Sequence, residues 1–393
     1  MKISIVITLM LALLCSACSA PTLAPTPTLS QASLVLTHGT LIDGTGAPPV
    51  KDATLVVGNG HILAVGPASQ VYLPSDVRVI DLSGAYILPG FINAHVHDAY
   101  DEGRLETWAQ AGVTTVRDES IINTSITITE ALSLRDQLAI SPRYARLVTA
   151  GYMITVPGGY GMLEVSSPEE ARQEVNLELE KGVDQIKLAL ESGYAGVTNL
   201  PLLTTDELAA IVEAAHAHGS QVTAHITESR YLPLLLEAGV DDLAHVPAGI
   251  ITKAQMQELI DKNIYVVPTL TVFEAYGGLQ VATSTLANLV NAGVSIAMGN
   301  DYTLVPQNNF DHFELGMPMH ELIRMNEAGM TLMQIVVAST NNAAHVCGLD
   351  NELGTLEVGK IADILVLRAD PLQDLSALTQ VKMVIHSGEI IRE

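Results

Sequence analysis

ILPGFINAHVH, at residues 87–97, contains the clearest indication of the architecture of this chain. It is an apolar run that ends in two histidines, His95 and His97, with one residue between them. Because successive side chains of a strand point to opposite faces, histidines spaced in this way lie on the same face. The run therefore predicts a buried strand that ends in a polar site.

Seven further apolar runs follow, and amphipathic segments with helical spacing separate them. One such segment, TDELAAIVEAAHAHG at 205–219, starts with Thr-Asp-Glu and ends at a glycine, as a helix does. Eight strand–helix units in roughly 260 residues predict a (β/α)8 TIM barrel, of the α/β class, over residues 89–349. A doubly wound open sheet is disfavoured, because no GxGxxG opens the first helix. The seven runs are GVTTVRD (112–118), ARLVTAGYMIT (145–155), GVDQIKLAL (182–190), QVTAHI (221–226), DDLAHV (241–246), YVVPTL (265–270) and SIAMGND (295–301).

The two ends of the chain have a different pattern. Residues 32–88 and 350–393 consist of short β-type runs separated by turn signals such as Gly58-Asn59-Gly60. We interpret the two regions as one small β-sandwich-like domain that is assembled from both chain termini.

Ionisable residues stand on predicted strands one, four, five, six and eight. In a TIM barrel the active site lies at the carboxyl ends of the strands, so polar residues there need a functional explanation. Imidazole and carboxylate groups that converge at such a rim predict a divalent metal site, most naturally for zinc. The candidate residues are His95, His97, Lys187, His225, His245 and Asp301.

Each of these residues has a structural explanation when it is taken alone. A single histidine at a strand end is often a hydrogen-bonded core residue, and Asp301 would serve as a turn cap. Lys187 is harder to explain, since a buried ammonium is costly unless it is paired or neutralised. The Schiff-base lysine of a barrel aldolase is an alternative for Lys187, but it leaves the rim histidines without a role.

Together these residues and several motifs resemble the amidohydrolase superfamily, over nearly all of residues 32–393. The chain is most similar to the imidazolonepropionase-like and Xaa-Pro dipeptidase-like enzymes, which keep a lysine on strand four. The motifs that carry the resemblance are LPGFINAHVH (88–97), GVTTVRD (112–118), GTLEVGKIADILVL (354–367) and Asp370-Pro371.

The resemblance implies two divalent metal ions, most naturally Zn2+, bridged by a carbamylated Lys187. Asp301 would also be the catalytic residue that carries a proton from a metal-bridging hydroxide or water to the leaving group. The implied reaction is cleavage of an amide-type C–N bond in an N-acyl amino acid, a dipeptide or a cyclic amide. The implied metal ligands besides the lysine are His95, His97 and Asp301 for one ion, and His225 and His245 for the other.

Other functions stay open at this point. A deaminase or a lactone- or carbamate-cleaving relative would use the same metal water, although a deaminase generally lacks the bridging lysine. A non-catalytic solute-binding lipoprotein belongs to a different class, but such proteins have two similar α/β lobes instead of eight repeats.

Loops after the strands depart from the family pattern and leave the substrate open. Gly158-Gly159-Tyr160-Gly161 stands where relatives often have Gly-Gly-His-Gly, and Glu119 follows Arg117-Asp118 where they have small residues. Arg230 would clamp a substrate carboxylate if it points inward, whereas at the start of a surface helix it would be solvated. The candidate substrate contacts are Tyr152, Tyr160, Tyr194 and Arg230.

Charge limits the range of partners. The chain has 19 Lys and Arg against 43 Asp and Glu, a formal net charge of −24. A surface this acidic repels phosphate backbones and anionic headgroups, so we expect a small-molecule substrate, no nucleic acid and no direct membrane adsorption. A homo-oligomer stays open.

The N-terminus predicts export. Residues 1–18 form an apolar run behind Lys2 that ends in a lipobox-like Ser16-Ala17-Cys18, and 19–31 are a Pro/Thr-rich tether. We expect a lipoprotein anchored at the cell envelope through Cys18, with a plainly cleaved signal and a secreted or periplasmic protein as the alternative. Cys347 would then be a packing residue of the mature chain without a disulfide partner.

Overall fold

The computed structural model describes residues 29–122, 125–193, 197–304 and 313–393. The predicted export signal with Cys18, most of the predicted tether and Tyr194 lie outside these residues. In the described part of the chain, no helix is both long and apolar enough to cross a membrane.

The strands fall into two groups: those of the two chain ends and those between them. In chain order they are β1 (Leu34–Leu41), β2 (Val50–Gly58), β3 (His61–Pro67), β4 (Arg78–Asp81), β5 (Tyr86–Pro89), β6 (Phe91–Val96), β7 (Val113–Asp118), β8 (Arg146–Thr149), β9 (Ile154–Thr155), β10 (Leu163–Glu164), β11 (Ile186–Ala189), β12 (Val222–His225), β13 (Asp242–Ala244), β14 (Tyr265–Val267), β15 (Ile364–Leu367), β16 (Val381–His386) and β17 (Glu389–Arg392).

Helices alternate with the strands between the two ends. They are α1 (Glu102–Gln110), α2 (Ile128–Leu138), α3 (Pro168–Lys181), α4 (Thr205–Ala217), α5 (Leu232–Ala238), α6 (Lys253–Asp261), α7 (Leu270–Tyr276), α8 (Leu279–Ala292), α9 (Met319–Glu327), α10 (Leu332–Ala338) and α11 (Asn341–Val346). Single turns of 3₁₀ helix occur at Leu29–Gln31, Ser229–Tyr231 and Leu375–Thr379.

Strands from both chain ends form one eight-stranded sheet, in the order β17-β16-β15-β5-β1-β2-β3, with β4 paired to β1. Strand β5 joins the two contributions, since it pairs parallel with β1 and antiparallel with β15. Apolar residues of this sheet, such as Leu36, Leu55 and Ile364, pack in a common core. The sheet agrees with a region built from both termini, while the bounds of the predicted domains stay a prediction.

The strands between the ends are parallel and lie in two sheets, β6-β7-β8 and β10-β9-β11-β12-β13-β14. Helices α1 to α8 follow them in the chain, which makes the fold a mixed α/β fold. Helix α4 illustrates the local signals, because Thr204 and Glu207 form a reciprocal capping box at its start. It covers most of the helix predicted at 205–219.

The segment 295–302 differs from its prediction as an eighth strand, because it makes isolated bridges instead of a continuous ladder. Ile296 bridges to Val266 of β14, and Tyr302 bridges to Val96 of β6, both in parallel. Backbone hydrogen bonds support both contacts: Ala297 N donates to Val266 O at 3.0 Å, and Asp301 N donates to His95 O at 2.9 Å. A positive φ of 55° at Asp301 interrupts the extended backbone there.

Gly299 allows this segment to approach β6 closely. A Cβ atom at position 299 would lie 2.6 Å from His95 Cβ and 2.8 Å from His95 N, so no larger residue fits without a shift of the strand. The segment thus links the sheets through β14 and β6. Between β8 and β11, Asp184 N donates to Thr149 O at 2.9 Å. The parallel sheets are established by these pairings, and closure into a continuous barrel stays a prediction.

Candidate metal centre

Three predicted ligands meet at the carboxyl end of β6. His95 and His97 project from the same side of the strand end, and Asp301 is brought to them by the bridge between β6 and the 295–302 segment. The Nε2 atoms of both histidines lie 3.2 Å from Asp301 Oδ1. The ligand atoms of all three residues lie within 4.8 Å of one another, which is close enough to hold a single metal ion.

The hydrogen bond of the second imidazole nitrogen orients His97. His97 Nδ1 lies 3.0 Å from the backbone carbonyl oxygen of Ser120. A carbonyl only accepts hydrogen bonds, so Nδ1 carries the hydrogen and a neutral His97 has a lone pair on Nε2, directed at Asp301. This pattern, one nitrogen donating to an oxygen while the other is free, is typical of metal-ligating histidines.

His225 and His245 form a second group beside the first. His225 Nδ1 lies 2.9 Å from His245 Nε2, and the rings are 4.5 Å apart in an edge-to-face arrangement. His245 Nδ1 lies 2.6 Å from Thr269 Oγ1, whose own hydrogen is donated to the carbonyl of Pro268. Thr269 therefore accepts from Nδ1, which leaves the lone pair of His245 on Nε2, facing His225.

Backbone strain accompanies these ligands. The residues at the ends of three neighbouring segments, His245, Thr269 and Asp301, have φ values of 78°, 45° and 55°. Left-handed backbone is costly for non-glycine residues and is found mainly where the surrounding structure holds a functional group in place. The strain thus marks the same strand ends as the side chains do.

The pKa values describe an anionic carboxylate among imidazoles. Burial favours the neutral form of Asp301, but the imidazoles of His95 and His97 outweigh it and hold the pKa of Asp301 well below its usual range. Burial lowers the pKa of His95 to about 4. Burial also lowers the pKa of His97, yet the adjoining Asp301 carboxylate outweighs it and raises the value to about 9. A metal ion would displace that proton on binding, since histidine binds metals as the neutral imidazole.

Lys187 is buried in β11 and contacts Glu119. Its Nζ lies 2.5 Å from Glu119 Oε2, and the other oxygen of Glu119 lies 2.6 Å from Arg117 Nε. Burial favours the neutral form of Glu119, but the two cations outweigh it and lower the pKa of Glu119 to about 2. The ammonium of Lys187 therefore has a buried counter-charge in this arrangement.

Arg117 is the centre of a cluster beneath the predicted ligands, which we call the arginine cluster and define as Arg117, Glu119, Gln185 and Asp242. Its guanidinium is fully buried and donates from Nη1 and Nη2 to the two oxygens of Asp242, at 2.9 and 3.0 Å. Nη1 also donates to Gln185 Oε1 at 3.0 Å. The motif around Arg117 that carries the family resemblance thus has a structural role inside the parallel strands.

Glu191 follows β11 and lies near Nε2 of His225, whereas His245 lies near Nδ1. Its Oε2 lies 3.5 Å from His225 Nε2, and it accepts hydrogen bonds from the Thr227 hydroxyl and from Gly193 N. Burial raises the pKa of Glu191, but hydrogen bonds from His225 and Thr227 outweigh this effect and lower it. An anionic Glu191 favours a hydrogen on His225 Nε2, which would free Nδ1 to bind a metal.

The ligands form the floor of a cavity of about 340 Å³. This volume lies at the lower end of the range for small-molecule sites. Of the candidate substrate contacts, Tyr160 lines the cavity and its ring packs on His225 with 4.6 Å between centroids. The lining includes all six predicted ligands, His95, His97, Lys187, His225, His245 and Asp301.

Two candidate substrate contacts do not lie in this cavity. Tyr152 packs against the apolar core and is absent from the cavity lining. The side chain of Arg230 is 60% exposed and donates to Glu228 at 2.7 Å and to Ser192 at 2.9 Å. The inward clamp considered for Arg230 therefore does not form, and the solvated alternative describes it.

Sequence reasoning missed three residues that position the ligands. Glu119 was visible only as a departure from the family pattern, and its contact with Lys187 depends on the pairing of distant strands. Glu191 follows strand four directly, where a polar residue should have been considered for the site. Thr269 has no signal of its own in the sequence, because its role depends on the left-handed backbone at that position.

The donor set fits a divalent cation. Within the described residues, Asp301 Oδ1 is buried and has no partner in hydrogen-bonding geometry, although the Nε2 atoms of His95 and His97 lie 3.2 Å away. Buried polar atoms of this kind are rare unless a ligand or ion satisfies them. Imidazole nitrogens and one carboxylate suit zinc and similar metals. The Nε2 atoms of His95 and His97 beside Asp301 meet this requirement once a metal displaces the proton of His97, and this group could hold a metal ion. His225 and His245 place two further imidazoles next to it.

Comparisons with known proteins identify relatives of this chain. A model of the amidohydrolase family matches residues 86–391. Imidazolonepropionase of Symbiobacterium thermophilum is 25% identical over an alignment that covers 85% of this chain and 90% of that enzyme. Ochratoxinase of Aspergillus niger is 24% identical, with 90% and 84% covered. A crystal structure of a Xaa-Pro dipeptidase with bound methionine has the same fold, with a TM-score of 0.78 at 23% identity over 92% of this chain and 100% of that one.

The chain belongs to the amidohydrolase family. It is an enzyme, a hydrolase of the amidohydrolase type, as the named relatives are. The family resemblance stated from the sequence motifs is thereby confirmed, and the solute-binding alternative is disfavoured.

Proposed function

We propose that the protein hydrolyses an amide-type C–N bond of a small substrate in a metal-dependent reaction at this cavity. The observation that carries the proposal is the convergence of the buried Asp301 Oδ1, which has no partner in hydrogen-bonding geometry, with the Nε2 atoms of His95 and His97 at the cavity, each 3.2 Å away. The family and the names of the relatives support the class of bond.

Two adjoining groups of ligands would hold two divalent metal ions, most naturally zinc. His95, His97 and Asp301 would bind one ion, while His225 Nδ1 and His245 Nε2 would bind the other. When bound, two such ions lower the pKa of a water molecule between them and polarise a carbonyl oxygen. Closure of the parallel strands into a (β/α)8 barrel is part of this proposal, because it would bring all five residues to one rim.

Lys187 would bridge the two ions as a carbamate. The uncharged amine adds CO2, a new N–C bond forms, and the carbamic acid loses a proton to become an anion. The carbamate nitrogen retains one N–H. This N–H would donate a hydrogen bond to Glu119 in place of the one that the ammonium donates. The positive charge of Arg117, 2.6 Å from Glu119, would offset the two neighbouring anions.

Asp301 would move the proton. Its low pKa keeps the carboxylate ionised at neutral pH, ready to accept a proton from the attacking water. It would then donate that proton to the leaving nitrogen as the C–N bond breaks. Thr269 and Ser120 would keep His245 and His97 in the tautomers that the metals need.

Metal analysis combined with isotope labelling tests the mechanism. The zinc-loaded chain should contain about two ions and should show a carbamate carbon signal by NMR after incubation with ¹³C-bicarbonate. A Lys187→Met variant should lose the signal and most of the activity, and a metal-free protein that keeps full activity would overturn the proposal. One ion per chain without a carbamate signal would retain the reaction and exclude the bridge.

A screen of the zinc-loaded chain against amides, amino-substituted heterocycles, lactones and carbamates separates amide cleavage from deamination and from lactone or carbamate cleavage. We also propose that the enzyme acts at the cell envelope, on the basis of the signal-like residues 1–18 and Cys18. Labelling of the expressed protein with a radioactive fatty acid, and its loss in a Cys18→Ser variant, would test this placement. A wild-type protein that remains unlabelled and in the soluble fraction would contradict it.

A further inference from the structure

The cavity has two chemically different halves. Its floor consists of the predicted ligands, and most of its wall consists of apolar side chains. Tyr160, Tyr276, Thr227 and Thr303 add hydroxyl groups to this wall. The apolar wall residues are Ile122, Met153, Val272, Phe273, Val281 and Phe313.

Among the described residues, Lys187 is the one basic lysine or arginine side chain that lines the cavity, and Glu119 holds it from beneath. Arginines on neighbouring elements are paired with glutamates. Arg230 is exposed and paired with Glu228, while Arg324 of α9 donates to both oxygens of Glu274 at 2.6 and 3.1 Å. Neither of these arginines lines the cavity.

Outside the described residues, positions 123–124, 194–196 and 305–312 read NT, YAG and VPQNNFDH, and they contain neither lysine nor arginine. Two carboxylates, in contrast, lie close to the cavity. Asp301 is at its floor, and Glu191 is behind the floor, next to His225. A substrate carboxylate above the floor would therefore have no counter-charge from the wall.

We infer that the substrate of this enzyme is an uncharged amide whose substituents beyond the scissile bond are apolar, and that free carboxylates there are selected against. The inference rests on the proposed function and narrows its substrate class. It disfavours N-acyl amino acids and dipeptides with a free C-terminus, and it favours neutral N-acyl amines, anilides and neutral cyclic amides.

The physical reason is desolvation. A carboxylate that enters an apolar wall loses its hydration and gains no ion pair, whereas an apolar substituent gains contact with Phe273, Met153 and Val272. The site would discriminate against an acidic ligand because the charge of that ligand would stay unpaired in the wall. Two bound metals would also supply positive charge, but this charge would interact with the reacting carbonyl and with Asp301.

Three compounds with the same amide and the same ring isolate the charge. N-acetyl-phenylalanine has a carboxylate, N-acetyl-phenylalaninol has a hydroxymethyl group in its place, and N-acetyl-2-phenylethylamine has a hydrogen. The zinc-loaded full chain is assayed for release of the amine, and the binding of each compound is measured by calorimetry. We expect kcat/KM for the two neutral compounds to exceed that for the acid by about tenfold or more.

A positive charge placed in the wall should reduce this preference. Val281 lines the cavity and is 51% exposed, so Val281→Arg can be accommodated without burial of the new charge. We expect Val281→Arg to raise the acid-to-alcohol ratio of kcat/KM about tenfold. Val281→Gln is the uncharged control, and Ile250→Arg, at a site that is 89% exposed and outside the cavity, controls for long-range attraction. Both controls should leave the ratio unchanged.

The outcomes separate the inference from the proposed function. Cleavage of the acid at a rate equal to or above that of the neutral compounds overturns the inference and retains the amidohydrolase reaction. Cleavage of none of the three overturns the proposed reaction for this class, and the calorimetric ranking then decides the inference. Tighter binding of the acid would overturn it, and tighter binding of the neutral compounds would support it.

Discussion

Two groups of ionisable residues lie within the same parallel strands, and they differ in whether they line the cavity. In the arginine cluster, Arg117 donates to Asp242, Gln185 and the carbonyl of Ala94, with Glu119 2.6 Å away. In the group at the strand ends, Asp301 Oδ1 has no partner in hydrogen-bonding geometry within the described residues and lies at the cavity. We call this second group the metal cluster and define it as His95, His97, His225, His245 and Asp301.

The comparison shows how to tell a structural charge from a functional one. Burial alone does not distinguish them, since most residues of both clusters are buried. Each cluster has a buried carboxylate oxygen outside hydrogen-bonding geometry, Glu119 Oε1 in one and Asp301 Oδ1 in the other. Glu119 Oε1 lies against the Arg117 guanidinium and away from the cavity, whereas Asp301 lines the cavity, where a ligand can reach it. We therefore expect damage to the metal cluster to affect activity and damage to the arginine cluster to affect stability.

The largest expected effect is on activity, in the metal cluster. His97→Ala should lower kcat/KM by roughly 10³-fold, because a metal contributes several kcal/mol of transition-state stabilisation. Metal content, measured by mass spectrometry of the digested protein, should fall with it. Arg230→Ala, at an exposed site away from the cavity, is the control and should keep near wild-type kinetics. A His97→Ala protein that retains both metal and activity would remove this residue from the metal cluster.

The next effect is on stability, in the arginine cluster. Arg117→Met should lower the free energy of unfolding by about 3–5 kcal/mol, because it leaves Asp242 as an uncompensated buried charge and Glu119 with Lys187 as its one remaining cationic partner among the described residues. Denaturant unfolding of the metal-free protein measures this value. His97→Ala, measured in the same way, should cause a much smaller loss. Equal losses in the two variants would mean that the two clusters do not differ in the way described.

A third prediction concerns pH and the start of α7, next to the metal cluster. Glu321 accepts hydrogen bonds from the backbone N–H groups of Leu270 and Thr271, and burial raises its pKa to about 7. Between its ordinary value of 4.5 and about 7, the folded state binds more protons than the unfolded state. The free energy of unfolding should therefore fall as pH rises through this window, by at most about 3 kcal/mol from this group.

A Glu321→Gln variant isolates that contribution. Near pH 5 the variant should match the wild type, because the neutral amide resembles the protonated carboxyl. At pH 8 it should be the more stable of the two, as measured by urea unfolding of the metal-free proteins. Parallel pH profiles would show that Glu321 titrates at an ordinary pKa in the folded protein.

The smallest effect is expected from the residue that orients His245. Thr269→Val removes the hydroxyl that accepts from His245 Nδ1 and should weaken metal binding by about 10–100-fold. Competition with a chelator measures this affinity. Thr269→Ser keeps the hydroxyl and should retain wild-type affinity, and a similar loss in both variants would assign the effect to packing instead.

Much of the fold followed from local patterns. The run at 87–97 predicted a strand ending in two histidines, and the structure has β6 at Phe91–Val96 with His95 and His97 at its end. The Thr-Asp-Glu signal at 205–207 predicted the start of α4, and the structure places the N-cap one residue earlier, at Thr204, whose hydroxyl and Glu207 satisfy free N–H groups of the first turn. The eighth strand was the weakest prediction, because the positive φ at Asp301 depends on a tertiary contact with His95.

The residue types of the metal cluster and their strand ends were determined by the sequence, since alternation along a strand and the polarity of parallel strands are local rules. Tertiary structure decided which polar groups share a partner. It paired Glu119 with Lys187 over 68 positions of chain and turned Arg230 toward solvent. It also put an apolar wall around the metal cluster without a cation to receive a carboxylate. These contacts join residues that are distant in the chain, and such pairings depend on how whole strands and loops pack.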